Sequence, residues 1–199
     1  MYEQLSNGQQ LKHLAEKIEL KLAPLHKEVE ELIDYNQFRV LQSFQQNQVS
    51  DYHFNPSTGY GYDDSGRDNL ERIYAQVLGG EAGLVRPQII SGTHAISTSL
   101  FGILRPGDEL VYITGKPYDT LEEIVGIRGN GNGSLKEFNI GYKHVDLTSE
   151  GRVDFDAVKE AISPQTKMIG IQRSKGYAAR PSFTIADIKE MIEFVKGIK

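Results

Sequence analysis

The stretch IISGTHAISTSLFGILRPGDELVYITGKPYDTL, Ile89 to Leu121, decides how this chain is read. A β-branched run enters Ser91-Gly92-Thr93-His94, and an apolar pattern at helical spacing begins at once. A second apolar run, Glu109–Thr114, leads to Lys116-Pro117-Tyr118. A strand that opens into a helix leaves N–H groups unpaired at the helix start, and the aligned backbone dipoles make that end attractive to anions. Gly92 lets a ligand approach the backbone closely, Thr93 adds a hydroxyl, and His94 is placed to stack on a ring or to cap the turn. Plain helix capping by Ser91 and Thr93 explains the same residues without a ligand. Neither G-x-x-x-x-G-K-[ST] nor a G-x-G-x-x-G after a strand occurs. The seam alone therefore leaves a phosphate site and an ordinary cap both open.

Working outward, the chain alternates. Strand-like runs are Gly83–Ser91, Glu109–Thr114, Phe138–Leu147 and Met168–Gln172; helix-like runs are Thr93–Leu104, Tyr118–Val125, Phe155–Ile162 and Ile185–Val195. Such alternation predicts an α/β domain with a mostly parallel sheet covered by helices. Arg67–Gly79 reads as a helix ended by Gly79, after a loop from Phe54 to Asp68 rich in Gly, Asn, Pro and Asp. Gly126–Phe138 reads as a surface loop rich in Gly and Asn. Before all this, Leu11, Leu14, Ile18, Leu22, Leu25, Val29, Leu32 and Ile33 recur at three- and four-residue steps. That is an amphipathic helical pattern, expected to break at Pro24. It serves either as a helix pair packed on its own domain or as an oligomer arm. The expected division is a helical arm over residues 1–50 and an α/β portion over 51–199.

Bulk properties narrow the function. The 199 residues are 39% hydrophobic and 25% charged, ordinary for a globular chain, and the net charge of -5 gives no reason to expect nucleic acid or an anionic membrane as partner. With no cysteine, disulfides and thiolate metal sites are excluded, and the five histidines lack H-x-x-x-H spacing, so no metal site is expected. No signal-peptide order and no spanning apolar run is present, so a cytoplasmic location is expected.

Several motifs, taken in order, resemble one family. Gly79-Gly80-Glu81, Ser91-Gly92-Thr93-His94-Ala95-Ile96, Pro106-Gly107-Asp108-Glu109 and Tyr118 keep the order found in fold-type I pyridoxal 5'-phosphate enzymes of the cystathionine and methionine lyase branch. SGTHAI, YGYDDSGRD and QRSKGY resemble more closely the methionine gamma-lyase-like proteins often labelled aluminium resistance proteins. The resemblance covers nearly the whole chain. It implies the fold-type I (aspartate aminotransferase-like) large domain, pyridoxal 5'-phosphate as cofactor, and carbon–sulfur lyase activity on an amino acid of methionine or cystathionine type. It also implies a homodimer or homotetramer. By position, it implies that the Gly92 and Thr93 N–H groups hold the cofactor phosphate and that Tyr118 stacks on its ring. Tyr60 or Tyr62, with Arg67, matches the pair that reaches a neighbouring subunit's phosphate. Arg173, Ser174 and Lys175 sit at a strand's carboxyl end, where open α/β sheets bind ligands. Here the chain departs from the branch, which has an asparagine near the position of Gly176.

Two groups that the chemistry requires find no match: a carboxylate facing the ring nitrogen and the Schiff-base lysine. Both lie in the family beyond the strand that carries QRS, so this chain is expected to be the N-terminal part of such a lyase, without its catalytic lysine. Lys175 and Lys116 are the local candidates for that lysine, and each also has an ordinary solvent-facing reading. Two other functions stay open: a non-catalytic phosphate-binding or interaction protein of the same fold, and an unrelated α/β enzyme using His94 with Asp108 or Asp119 as acid and base.

Overall fold

A computed structural model describes residues 2–58, 60, 62 and 64–198. The described chain groups into two compact units, Met1–Gln88 and Ile89–Lys199.

In the first unit, helix α1 runs without interruption from Gly8 to Gln46. The break expected at Pro24 does not occur: the proline lies inside the helix. An interior proline costs about 3 kcal/mol. Long runs of strong helix formers on both sides (Leu, Lys, Glu, Ala) keep a 39-residue helix intact through it. A single 3-10 turn, Asp51–Phe54, leads to helix α2, Ser65–Leu78. Asp64 caps α2 by accepting from the Arg67 N–H at 3.0 Å. Gly79 ends α2 with φ 71°, a left-handed conformation that glycine adopts freely. Parts of the YGYDDSGRD motif, Gly61 and Asp63, lie outside the described residues.

The strand expected over Gly83–Ser91 is absent. Its polar groups find side-chain partners on α2 instead of a neighbouring strand. The Val85 N–H donates to Glu71 Oε1 at 3.0 Å, Arg86 pairs with the same carboxylate, and Pro87 has no N–H to offer a ladder.

The second unit carries a parallel sheet of three strands: β1 (Glu109–Tyr112) in the centre, β2 (Gly141–His144) on one side and β3 (Thr166–Gly170) on the other. Side chains of β1 alternate faces, as a pleated strand must. Leu110 and Tyr112 pack with Leu100, Leu104 and Val125 beneath helices α3 (Gly92–Ile103) and α4 (Asp119–Val125). Val111 and the following Ile113 pack with Val158 and Met191 beneath α5 (Phe155–Ala161) and α6 (Ile185–Gly197). Leu110, Val111 and Ile113 are fully buried, which explains why this strand reads as a continuous apolar run. The fold is thus a mixed α/β arrangement with helices on both faces of a parallel sheet, as the resemblance to the fold-type I class implies. The run Phe138–Leu147 yields only four residues of strand, because Asn139 takes φ 55° and the Ile140 N–H turns back to the Leu135 carbonyl at 2.9 Å.

Candidate functional site at the carboxyl ends of the strands

The seam forms as the residue types require. Ser91, extended at φ -160°, accepts the His94 N–H on its hydroxyl at 3.0 Å, and its carbonyl accepts the Ala95 N–H at 3.0 Å. His94 Nδ1 in turn accepts from the Ile90 N–H at 3.4 Å, so the histidine ring buttresses the turn. This leaves the N–H groups of Gly92 and Thr93 with no acceptor among the described residues, at the start of a 12-residue helix. A Cβ added at Gly92 would meet nothing within 4 Å, so the approach to these donors is open. Geometry and chemistry both suit an anion here.

The seam and Tyr118 are brought together. Thr93 Oγ1 lies 3.1 Å from Thr120 Oγ1, which sets the start of α3 beside the start of α4, where Tyr118 is the N-terminal flanking residue. Tyr118 is itself fixed by Gln172, whose Oε1 accepts the Tyr118 N–H at 2.6 Å. The same Gln172 receives its own backbone hydrogen bond by donating to Thr114 Oγ1 at 2.9 Å, and its Nε2 donates to the Ser174 carbonyl at 3.1 Å. Through its backbone and its side chain together, this one residue joins the end of β1, the start of α4 and the loop beyond β3. Gly176, with φ 55°, lies against the Tyr118 ring: a Cβ there would fall 2.7 Å from the ring's Cε2. The absence of a side chain at Gly176 is what lets the loop close on the tyrosine.

Tyr118, Gln172 and Gly176 line a cleft of about 490 Å³. Lys116, Lys175, Arg180, Glu122 and Asp146 also line it. Arg180 is not free to meet a substrate. Its guanidinium donates to the carbonyls of Gln172 (3.1 Å), Ser174 (2.9 Å) and Pro181 (3.0 Å) and sits over the Phe183 ring, so it pins the loop. Loss of solvent around it lowers its pKa from the ordinary arginine value. Arg173 and Ser174 have exposed side chains, and Ser174 enters the network through its backbone carbonyl. Arg180 reads from sequence either as a partner for a substrate carboxylate or as a loop cap, and its bonds are those of the cap; Gln172 and Thr120 were not singled out by sequence as fixing this site. Their position just beyond a strand or at a helix start is the only signal they carry.

In the other unit, Tyr60 and Tyr62 are almost wholly exposed. Arg67 donates to Asp68 Oδ1 from Nε at 2.9 Å and from a terminal nitrogen at 2.7 Å. That hydrogen bond raises the arginine's pKa, while the Arg67 N–H and then Ser57 hold the Asp64 carboxyl below its usual range.

Residues 11–199 match the profile of the family described as methionine gamma-lyase. The uncharacterized protein YnbB of Bacillus subtilis (strain 168) is 67% identical over 199 residues, which is 100% of this chain and 47% of that protein. A crystal structure from Listeria innocua, provisionally named a cystathionine beta-lyase involved in aluminum resistance, superposes with a TM-score of 0.93 at 65% identity over 95% of this chain and 46% of its own. The L-methionine gamma-lyase of Pseudomonas putida is 32% identical over 122 residues, 60% of this chain and 25% of that enzyme. The chain spans about half the length of the first two. No helix among the described residues is long and apolar enough to cross a membrane.

Proposed function

The chain belongs to the methionine gamma-lyase family, and on that premise we propose that it forms the phosphate- and ring-holding part of a pyridoxal 5'-phosphate-dependent carbon–sulfur lyase acting on a sulfur amino acid. The single observation that carries this reading is the pair of unclaimed N–H groups, Gly92 and Thr93, held beside Tyr118 by the Thr93–Thr120 contact. These residues fit the cofactor. The two N–H groups and the dipole of α3 would bind its phosphate, and Tyr118 would lie along its ring. When bound, the cofactor supplies an electron sink for charge developing at the substrate's α-carbon.

The chain's own residues orient rather than react. Ser91 fixes the first turn of α3, Gln172 fixes Tyr118, and Arg180 keeps the Gln172–Pro181 loop closed on that side. Arg67, with Tyr60 or Tyr62, would serve the phosphate of a neighbouring copy, which requires the guanidinium to turn from Asp68. We place the reactive lysine and the carboxylate for the ring nitrogen outside these 199 residues. Lys175, on the lip of the cleft, is the alternative.

Gly92→Pro tests the cradle cleanly. Proline is accepted at the first position of a helix, the extended Ser91 suits the residue before a proline, and one donor is removed without a cap being lost. Binding of pyridoxal 5'-phosphate, read by absorbance, is expected to weaken by about tenfold or more, while pyridoxal without its phosphate binds unchanged. Equal loss for both ligands, or no loss for either, would remove the cradle. Borohydride reduction followed by mass mapping locates the lysine: a reduced phosphopyridoxyl group on Lys175 would overturn its placement outside this segment.

A further inference from the structure

We propose that the first unit carries a small-molecule site where the end of α1 meets α2, and that its ligand is a neutral molecule with an apolar body and one O–H or N–H donor. The donor bonds to Asn69 Oδ1, a buried acceptor that no group among the described residues serves.

Asn69 lies in α2 and is 2% exposed. Its Nδ2 donates to the Asn47 carbonyl, just past the last turn of α1, at 3.0 Å, which leaves Oδ1 as the end without a partner. A buried carbonyl oxygen with no donor is costly and rare in folded proteins. Reversing the amide does not remove the problem. It would set Oδ1 against the Asn47 carbonyl, acceptor against acceptor, and leave Nδ2 unmet instead.

Beside this acceptor there is room. Asn69 lines a cavity of about 250 Å³ whose walls are mostly apolar: Phe44 from α1, Val49, Phe54 from the 3-10 turn, and Leu70 and Ile73 from α2. An apolar cavity of about 150 Å³ already takes a benzene-sized molecule, whereas drug-sized ligands need about 300 Å³ or more. The occupant is therefore a single ring or an alkyl chain of similar bulk. Phe54, 77% exposed, and Leu70, 38% exposed, form the outer wall, so a ligand enters and reaches the amide by moving side chains and not backbone. A water could meet Oδ1 but would leave the apolar walls unfilled.

The other polar side chains around the cavity select a neutral ligand. His53 Nδ1 accepts the Ser50 N–H at 3.1 Å, and Arg67 donates twice to Asp68. A charged ligand would have to displace Asp68 from Arg67 or be buried without a counter-charge. Because the walls come from both helices, an occupant ties α1 to α2 and stabilises their joint. None of this involves the seam at Gly92 or the cofactor.

Phenol and toluene, nearly equal in size and differing in the donor, test the site on the 199-residue chain by heteronuclear NMR. Phenol at millimolar concentration is expected to shift the amide resonances of the residues lining the cavity. It should move the Asn69 side-chain amide, which toluene should leave in place. Asn69→Leu keeps the bulk and removes the acceptor, so the ratio of phenol to toluene affinity should fall about tenfold from its wild-type value. If that variant does not fold, the Asn69 side-chain resonance of the wild type still decides. The proposal is overturned if phenol shifts none of the lining residues, if both probes move the Asn69 side-chain amide alike, or if folded Asn69→Leu keeps the wild-type ratio.

Discussion

At the amino ends of the strands, Glu109 is closed in on every side: Lys143 at 2.8 Å, Thr166 at 2.9 Å and Ser163 at 3.2 Å satisfy its carboxylate, which is only 12% exposed. At the carboxyl ends, β1 and β3 run out into a cleft lined by charged side chains, and the N–H groups of Gly92 and Thr93 have no acceptor among the described residues. One end spends its polar groups on each other; the other keeps them available. The parallel arrangement produces this division, since all strands point their carboxyl ends, and the loops that follow, the same way. The satisfied carboxylate and the proposed binding site thereby lie at opposite ends of the same β1.

The largest expected effect tests whether the open end rests on a firm floor. Ile113, fully buried just before Thr114, should cost about 3 kcal/mol when replaced by alanine, measured by guanidinium unfolding. A loss below about 1 kcal/mol would mean a loose floor, and the contrast would fail.

Next, Glu109→Gln should remove about 1.5 kcal/mol at neutral pH. Burial alone would raise the Glu109 pKa, but Lys143, Thr166 and Ser163 outweigh it and hold the carboxyl below its usual value of 4.5. A group that binds its proton less readily when folded stabilises above the unfolded pKa and loses that contribution as pH falls through the folded one. The gap between wild type and Glu109→Gln should therefore be full near pH 7 and close as the solution is acidified below about 4.5. A gap that is constant with pH would assign the effect to packing.

At the other end, Gly176→Ala forces a positive φ on a residue with a Cβ and drives that Cβ into the Tyr118 ring, for a cost of about 1 kcal/mol in thermal unfolding. It should weaken pyridoxal 5'-phosphate binding as well, whereas Glu109→Gln should leave binding alone. Gln172→Ala should be the mildest in stability, about 0.5 kcal/mol, because Gln172 is only partly buried. Its mark should be in binding, since the Tyr118 N–H loses its acceptor. Equal binding by wild type and Gln172→Ala would show that Tyr118 needs no such support.

Much of this contrast was legible in the residues. The seam at Gly92, the cap at Ser91, the stop at Gly79 and the four helices after Ile89 follow from local chemistry: a hydroxyl before a helix, a glycine after one, apolar side chains at helical spacing. Where partners came from afar, the reading failed. Gly83–Ser91 has the composition of a strand, but Glu71 on α2 supplies its acceptor, and nothing in the segment reveals that. Pro24 is a breaker by its own chemistry, and only the length of helix on both sides overrides it. Gln172 was legible as a strand end, but not as the link between Tyr118 and Ser174, residues 54 positions before it and two after it.

By itself, then, the sequence determined the α/β class, the starts of the helices after Ile89, the candidate anion seam and the charge and apolar pattern of α1, because each depends on neighbours within a few residues. Tertiary structure alone decided which of those residues meet: that Thr93 reaches Thr120, that Gly176 yields its space to Tyr118, that Arg180 serves the loop and not a ligand. Those contacts join segments far apart in the chain, and their geometry is set by how helices and strands pack, which no local pattern encodes.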